Sequence, residues 1–494
     1  MKDIQEASEA THSSEFDVII IGAGIAGINT AYYLETQSPE TSYTILEGRS
    51  RIGGTWDLFR YPGIRSDSDM ITFCFSWNPW TREERLGSGD EIRTYMQKSA
   101  ELFGIDKKIR FNHKVMTADW STASKSWSLT VTNSRGETQI YHTKFIALGT
   151  GYYDYEHPLE ATIPGLSNFS GPVIQPQFWP EDLDYSGKDV VVIGSGATAV
   201  TLVPSMAEKA KSVTMLQRSP TWIVSAPRKQ RDSGFVKLVS RFLPVSAARW
   251  FKRFNSVVWG TVFYSYCMIF PEKARRFLQG ATIKQLPANI SWNPHFNPRY
   301  TPWKQRLCLC PGGDFYAALR SGKANVITDT IKNVTSTEIQ LASGQTVRPD
   351  IIVAATGLKL RFAGGIKLSI DGRPIDVAEK YTWRGSMIQD IPNLMFVVGY
   401  VNASWTLGAD VTAKLLVRLL HHMKRRGAEV AVPRLDNPGS MRRGDVFNLS
   451  STYTQTANSI FPRAGSGYWD HKRNYLLDIL DAQFGSVSKG LRIE

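Results

Sequence analysis

The chain has 494 residues, with 58 Lys and Arg against 45 Asp and Glu, and 42% of it is hydrophobic. That length suits roughly three compact domains of ~150 residues, and an aromatic content of 11% excludes low-complexity disorder. The net charge of +13 suits a phosphate-bearing ligand or an anionic membrane surface; without a dense basic tract and interleaved aromatics, no nucleic-acid partner is expected.

Residues 1–16 are polar, mildly acidic and without an apolar stretch, so they read as a disordered tail and not as a secretory signal. An apolar strand, Val18-Ile19-Ile20-Ile21, then meets the turn Gly22-Ala23-Gly24-Ile25-Ala26-Gly27 and a helical run through Ala31, Tyr32 and Leu34. The next strand, 43–46, ends at Glu47. Hairpin-like segments follow at 127–132 and 139–143, and a buried strand runs from Phe145 into the Thr150-Gly151 turn. The same ordered set then returns. Val190-Val191-Val192-Ile193 meets Gly194-Ser195-Gly196-Ala197-Thr198-Ala199, followed by helix 200–206 and strand 213–216. Hairpin segments at 338–341 and 345–347 precede a strand from Ile351 into Thr356-Gly357. One such turn is a weak signal, but the ordered set occurring twice argues for two dinucleotide-binding domains.

In such a turn the first glycine permits the tight bend and the second admits a pyrophosphate. The third position needs a small residue for helix–strand packing. The diphosphate then rests on free N–H groups at the positive end of the helix. Gly22, Gly24 and Gly27 fill these places in the first copy. Glu47 would accept from ribose hydroxyls and repel a 2′-phosphate, so this copy should hold FAD or NAD. The second copy, Gly194 to Val200, is followed by Gln217-Arg218-Ser219. A guanidinium and a hydroxyl with no acid match a 2′-phosphate, hence NADP. One FAD and one NADPH are expected.

Residues 226–300 are rich in Trp, Phe and basic side chains without a strand pattern, which predicts a mainly helical insertion. Its apolar run, 257–270, is too short for the ~20 residues that a bilayer demands. Packing on the body is the favoured reading, with peripheral membrane contact through the surrounding Lys237, Arg241, Arg249, Trp250, Lys252 and Arg253 as the minority one. A helix is expected over 414–426, closed by cations and Gly427. Four cysteines are too few for a disulfide framework, and Cys308 and Cys310 read as ordinary buried thiols without redox-pair spacing. His421 and His422 are adjacent and diverge on a helix, so no metal site is expected. These features point to a cytoplasmic enzyme.

Two segments narrow the chemistry. Gly53-Gly54-Thr55-Trp56 with Arg60-Tyr61-Pro62-Gly63-Ile64-Arg65-Ser66-Asp67 resembles the flavin-contacting stretch of Baeyer–Villiger monooxygenases. Phe169-x-Gly171-x-x-x-Gln175-x-x-x-Trp179-Pro180 resembles that family's fingerprint, and Gln305 to Leu309, Ala355-Thr356-Gly357 and Asn402 to Leu407 follow in order. The chain is most similar to the subgroup of bacterial ethionamide-activating monooxygenases.

The resemblance implies an α/β fold of two Rossmann-like domains, for FAD and NADP, with the helical insertion. The FAD domain would comprise residues 1–155 and 360–494, and the NADP domain 156–359. It implies that Gly54, Thr55, Trp56, Asp57, Leu58 and Asp67 line the flavin, with Glu47 on the ribose and the Val115 backbone at the adenine. Arg65, Ser66 and Asp67 would face the nicotinamide; Gly194, Ser195, Gly196, Ala197, Thr198, Ala199 and Val200 would cradle the NADP diphosphate. Arg306 corresponds to the family's catalytic arginine, stabilising a flavin C4a-peroxide and then the oxyanion of its ketone adduct, with Asp67 orienting it as a bidentate partner. Trp405 would form part of the substrate wall, or else pack in the core. The implied reaction inserts one oxygen of O2 into a ketone to give an ester or lactone, alongside sulfide oxygenation. S- or N-oxygenation alone and a non-oxygenating NADPH oxidase or redox sensor are the alternatives. Gln175 stands where the fingerprint carries His; it hydrogen-bonds but cannot titrate near neutral pH.

Overall fold

The computed structural model describes residues 14–494 apart from 437–438, 440, 446, 448–455 and 473. Most of the expected N-terminal tail, residues 1–13, lies outside the described residues, and Glu15 and Phe16 already belong to the first strand.

Apolar residues in an unbroken row cannot alternate between a wet and a dry face. The strand they form, Glu15–Ile21, accordingly has parallel neighbours on both sides, Tyr43–Leu46 and Thr138–Leu148. Leu394–Phe396 extends this sheet along the far side of Thr138–Leu148. The strand Thr138–Leu148 also corrects the sequence reading, which divided it at residue 144. Its first half pairs antiparallel with Ser126–Asn133, which pairs in turn with His113–Ser121, and its second half enters the parallel sheet. In the second copy the hairpin strands Ile339–Leu341 and Thr346–Val347 do stay separate from the buried strand Ile351–Ala354. Pro349 stands between them; it has no N–H to give a ladder, and the first copy has no such interruption.

The second sheet is parallel throughout, in the order Ala324–Thr328, Ser212–Gln217, Asp189–Ile193, Ile351–Ala354, Val173–Ile174. The fold is thus α/β with two Rossmann-like sheets. Between the second sheet's strands come helices Gly234–Phe242, Val245–Ile269, Pro271–Ile283 and Trp292–His295. Arg253 pins this insertion to the first sheet's body. Its guanidinium donates to the carbonyls of Ile71 (2.9 Å) and Cys74 (2.7 Å) and ion-pairs with Asp410 at 3.4 Å. Among the described residues, no helix is long and apolar enough to cross a membrane.

The helix expected over 414–426 begins at Trp405 and runs to Arg426. Residues 406–413 are buried on every face, so this turn carries no amphipathic period to read. The C-terminal end is as expected: Lys424, Arg425 and Arg426 face the negative end of the dipole, and Gly427 closes it in the left-handed conformation (φ 61°).

Candidate active site

Both glycine-rich turns open onto one cleft of about 1200 Å³. Helix Ile25–Gln37 starts at Gly24 and helix Ala197–Met206 at Gly196; neither has a side-chain cap nor an acidic residue in its first turn. The N–H groups at both helix ends therefore stay available to an anion.

The first turn is built by contact. Gly22 has φ 103°, and a Cβ there would sit 2.7 Å from the Gly149 carbonyl oxygen. At Gly27 a Cβ would meet the Gly22 carbonyl oxygen at 1.9 Å, so this glycine sets helix–strand distance and does not line the cleft. Gly24 faces Gly54, where a Cβ on either would close the space between the two backbones. Glu47 is 7% exposed. One carboxylate oxygen accepts from the Ala23 N–H (2.7 Å) and the other from the Arg49 N–H (2.8 Å). Burial raises its pKa, an effect those two N–H donors oppose. Thr55 and Trp56 line the cleft; Thr55 shares a 2.9 Å hydrogen bond with Tyr155, and Trp56 packs edge-on against Phe73. Val115 lies at the same end.

Two residues expected at the flavin lie elsewhere. Asp57 is 5% exposed and serves as an ion-pair hub for Arg49 (2.7 Å), Arg60 (2.8 Å) and Arg93 (3.7 Å). Leu58 packs against the core of the second sheet. A helix of one turn can point only part of its circumference at the cleft, and Thr55 and Trp56 occupy it.

On the second side Gly194, Ser195, Gly196, Ala197 and Thr198 line the cleft, whereas Ala199 and Val200 bury their side chains behind it. Gly194 has φ 138°, and a Cβ would lie 2.2 Å from the Ala355 carbonyl oxygen. Arg218 and Ser219 are exposed at the rim, and Arg218 has no carboxylate partner among the described residues. The Ser195 hydroxyl donates to the Ser219 carbonyl at 2.8 Å, tying the turn to the end of the next strand.

Between the two sides lie Arg65, Ser66, Asp67 and Arg306. Arg306 precedes the strand Cys308–Pro311, and its Nη1 lies 3.5 Å from Asp67 Oδ2. That is an ion pair longer than the short bonds of the expected bidentate arrangement. The bidentate pair belongs instead to Arg65, whose Nη1 and Nη2 donate to Asp314 at 2.6 and 3.4 Å. Sequence reading missed Asp314, which lies 249 residues from its partner and in no recognisable motif. Ser66 is buried, exchanging hydrogen bonds with Gly87. Trp405 does line the cleft, stacked on Tyr152 (centroids 4.7 Å, 16° between planes). Gln175 is not among the lining residues; its neighbour Gln177 is buried and donates to the Asp154 carbonyl at 2.5 Å.

The cleft's chemistry fits two dinucleotides. Each side offers an uncapped helix N-terminus, and the glycines keep the approach free of side chains. The Thr356 hydroxyl, beside the cleft, is buried without a hydrogen-bond partner among the described residues. Thiol chemistry does not fit: burial pushes Cys308 and Cys310 up to about 12 and about 11, away from a reactive thiolate.

Comparison with known proteins agrees. Residues 19–232 match the pyridine nucleotide-disulphide oxidoreductase family. The FAD-containing monooxygenase EthA of Mycobacterium tuberculosis is 44% identical over 484 residues, 97% of this chain and 98% of the relative. The chain belongs to the FAD-containing monooxygenases. Solved structures share the monooxygenase's fold at low identity. A steroid monooxygenase bound to NADP superposes with a TM-score of 0.74 at 19% identity, covering 97% of this chain and 99% of the other. Cyclohexanone monooxygenase bound to ε-caprolactone gives 0.72 at 18%, covering 97% and 100%.

Proposed function

We propose that this monooxygenase is a Baeyer–Villiger enzyme that inserts one oxygen atom of O2 into a ketone, giving an ester or lactone, with sulfide oxygenation as a companion activity. The overall change balances as ketone, O2, NADPH and a proton giving ester, water and NADP⁺. Bound together, FAD and NADPH would supply the reducing equivalents and the activated dioxygen for this reaction.

The protein's own residues bind, orient and stabilise. Glu47, held at the cleft wall by the Ala23 and Arg49 N–H groups, would accept from the FAD ribose. Gly22, Gly24 and Gly54 admit the FAD diphosphate. Gly194 to Thr198 receive the NADP diphosphate, and Arg218 with Ser219 takes the 2′-phosphate. Asp314 holds Arg65 in place at the nicotinamide side. Arg306 keeps a fixed positive charge where the former carbonyl oxygen becomes an oxyanion, and Asp67 biases its position. Trp405 and Tyr152 give the ketone an apolar wall. On this reading FAD belongs to residues 1–155 and 360–494 and NADP to 156–359.

The observation that carries the proposal is Arg306, paired with Asp67, in the cleft that both glycine-rich turns share. Gas chromatography of ketone and sulfide incubations with NADPH tests it. Ester or lactone from the ketone is the expected result; sulfoxide without any ester would sink the ketone reading and leave S-oxygenation.

A further inference from the structure

We propose that helices Gly234–Phe242 and Val245–Ile269 dock the enzyme onto an anionic lipid bilayer, lying in the headgroup boundary and not across it. The first helix has the right amphipathic period turned the wrong way for a packed protein. Phe235, Leu238 and Phe242, three and four residues apart, share one face and are 65%, 59% and 79% exposed, while only Val236 is buried. Its N-terminus is capped, with the Ser233 hydroxyl accepting from the Val236 N–H, while its apolar face meets water. Val245 and Trp250 continue the exposed surface at 68% and 65%. An apolar surface of this extent, left uncovered among the described residues, needs an occupant.

Charge identifies that occupant. Residues 226–300 hold thirteen Lys and Arg against only Asp232 and Glu272, which is eleven of the chain's net +13. Lys237, Arg241 and Arg249 flank the exposed apolar side chains and have no carboxylate partner among the described residues, while Asp232 is already paired with Lys252 at 2.6 Å. A second copy of this chain would bring the same positive charge against itself. An anionic bilayer instead neutralises the cations and covers the Phe and Leu side chains, and Trp250 suits the interface. The insertion is anchored for this load by Arg253 on Asp410. It also touches the reaction centre's neighbourhood: Phe263 and Leu278 pack in the cluster containing Leu307, next to Arg306.

Flotation of the FAD-loaded enzyme with phosphatidylcholine vesicles, with and without a third of phosphatidylglycerol, tests the proposal. The expected result is co-flotation with the anionic vesicles, weakened at high salt. Leu238→Ser/Phe242→Ser and Lys237→Gln/Arg241→Gln should each lower vesicle affinity about tenfold or more while NADPH consumption with a soluble ketone stays at the wild-type rate. Absence of flotation with either vesicle, or flotation that both double variants retain, would overturn the bilayer. So would a dimer in sedimentation velocity that Leu238→Ser/Phe242→Ser dissolves, since it would give this face to a second copy.

Discussion

The two glycine-rich turns share a chain pattern but not a spacing. In the first, Gly27 and Gly149 lie against each other: a Cβ on Gly149 would be 3.0 Å from the Gly27 nitrogen, and one on Gly27 would be 1.9 Å from the Gly22 carbonyl. In the second, the equivalent places are held by Ala199 and Ala355, both buried, so helix and strand there accommodate two methyl groups. The groups proposed to face the two ligands differ in the same sense. Glu47 is buried and held by two backbone donors, whereas Arg218 is exposed at the rim. A tight, buried site suits a cofactor that stays; a rim cation suits one that arrives and leaves each turnover. A duplicated motif can thus differ in the size of its third residue and in the burial of the charged side chain that ends the next strand.

Five substitutions on the two sides test that contrast. The largest effect is expected from Gly27→Ala, where the clash is with backbone and cannot be relieved by a rotamer. It should cost at least about 3 kcal/mol and empty the protein of flavin, read by thermal melting and the flavin absorbance of the purified protein. The mirror change Ala199→Gly should cost only about 1 kcal/mol and leave flavin content intact. Next, Arg218→Ala should raise the KM for NADPH by about ten- to a hundredfold with kcat nearly unchanged, and leave NADH kinetics alone; an equal loss with both nucleotides would remove the 2′-phosphate assignment. Asp314→Asn, which frees Arg65 from its bidentate partner, should weaken NADPH use by a few-fold without loss of bound FAD.

The smallest effect concerns pH. Burial raises the Glu47 carboxyl, so in flavin-stripped protein the folded state keeps that proton to higher pH than the unfolded chain does. Its contribution to stability is full below the ordinary carboxylate range and is lost as pH rises through the raised value. The Tm of stripped wild type should therefore fall across that window relative to Glu47→Gln, which cannot titrate. Parallel curves for the two proteins would mean that Glu47 is not desolvated as described.

The features legible in the sequence are those that short stretches of backbone impose. A glycine-rich turn between an apolar strand and a helix must announce itself locally, and Glu47 and Arg218 stand at the end of the very next strand in each copy. The α/β fold and both cofactors followed from that repetition. What stayed hidden depends on distance or on uniform burial. Asp314 reaches Arg65 from the other sheet's body, and no local pattern marks it. Asp57 sits in a stretch that resembles a flavin-lining run, yet three arginines turn it inward. The helix from Trp405 is buried all round in its first turns and so lacks a period. The strand Thr138–Leu148 changes partners midway, which a pattern of alternation reports as two strands.

The central claim is that Arg306 stabilises oxygen transfer in a cleft shared by two nucleotides. Its most direct test is the amount of ester formed for each NADPH consumed, in wild type and in Arg306→Ala, with hydrogen peroxide measured in parallel. Wild type should couple NADPH consumption to ester formation. The variant should bind FAD normally but lose ester formation by about a hundred- to a thousandfold, diverting NADPH consumption to peroxide. Equal ester per NADPH in the two proteins, or peroxide alone from wild type, would contradict it.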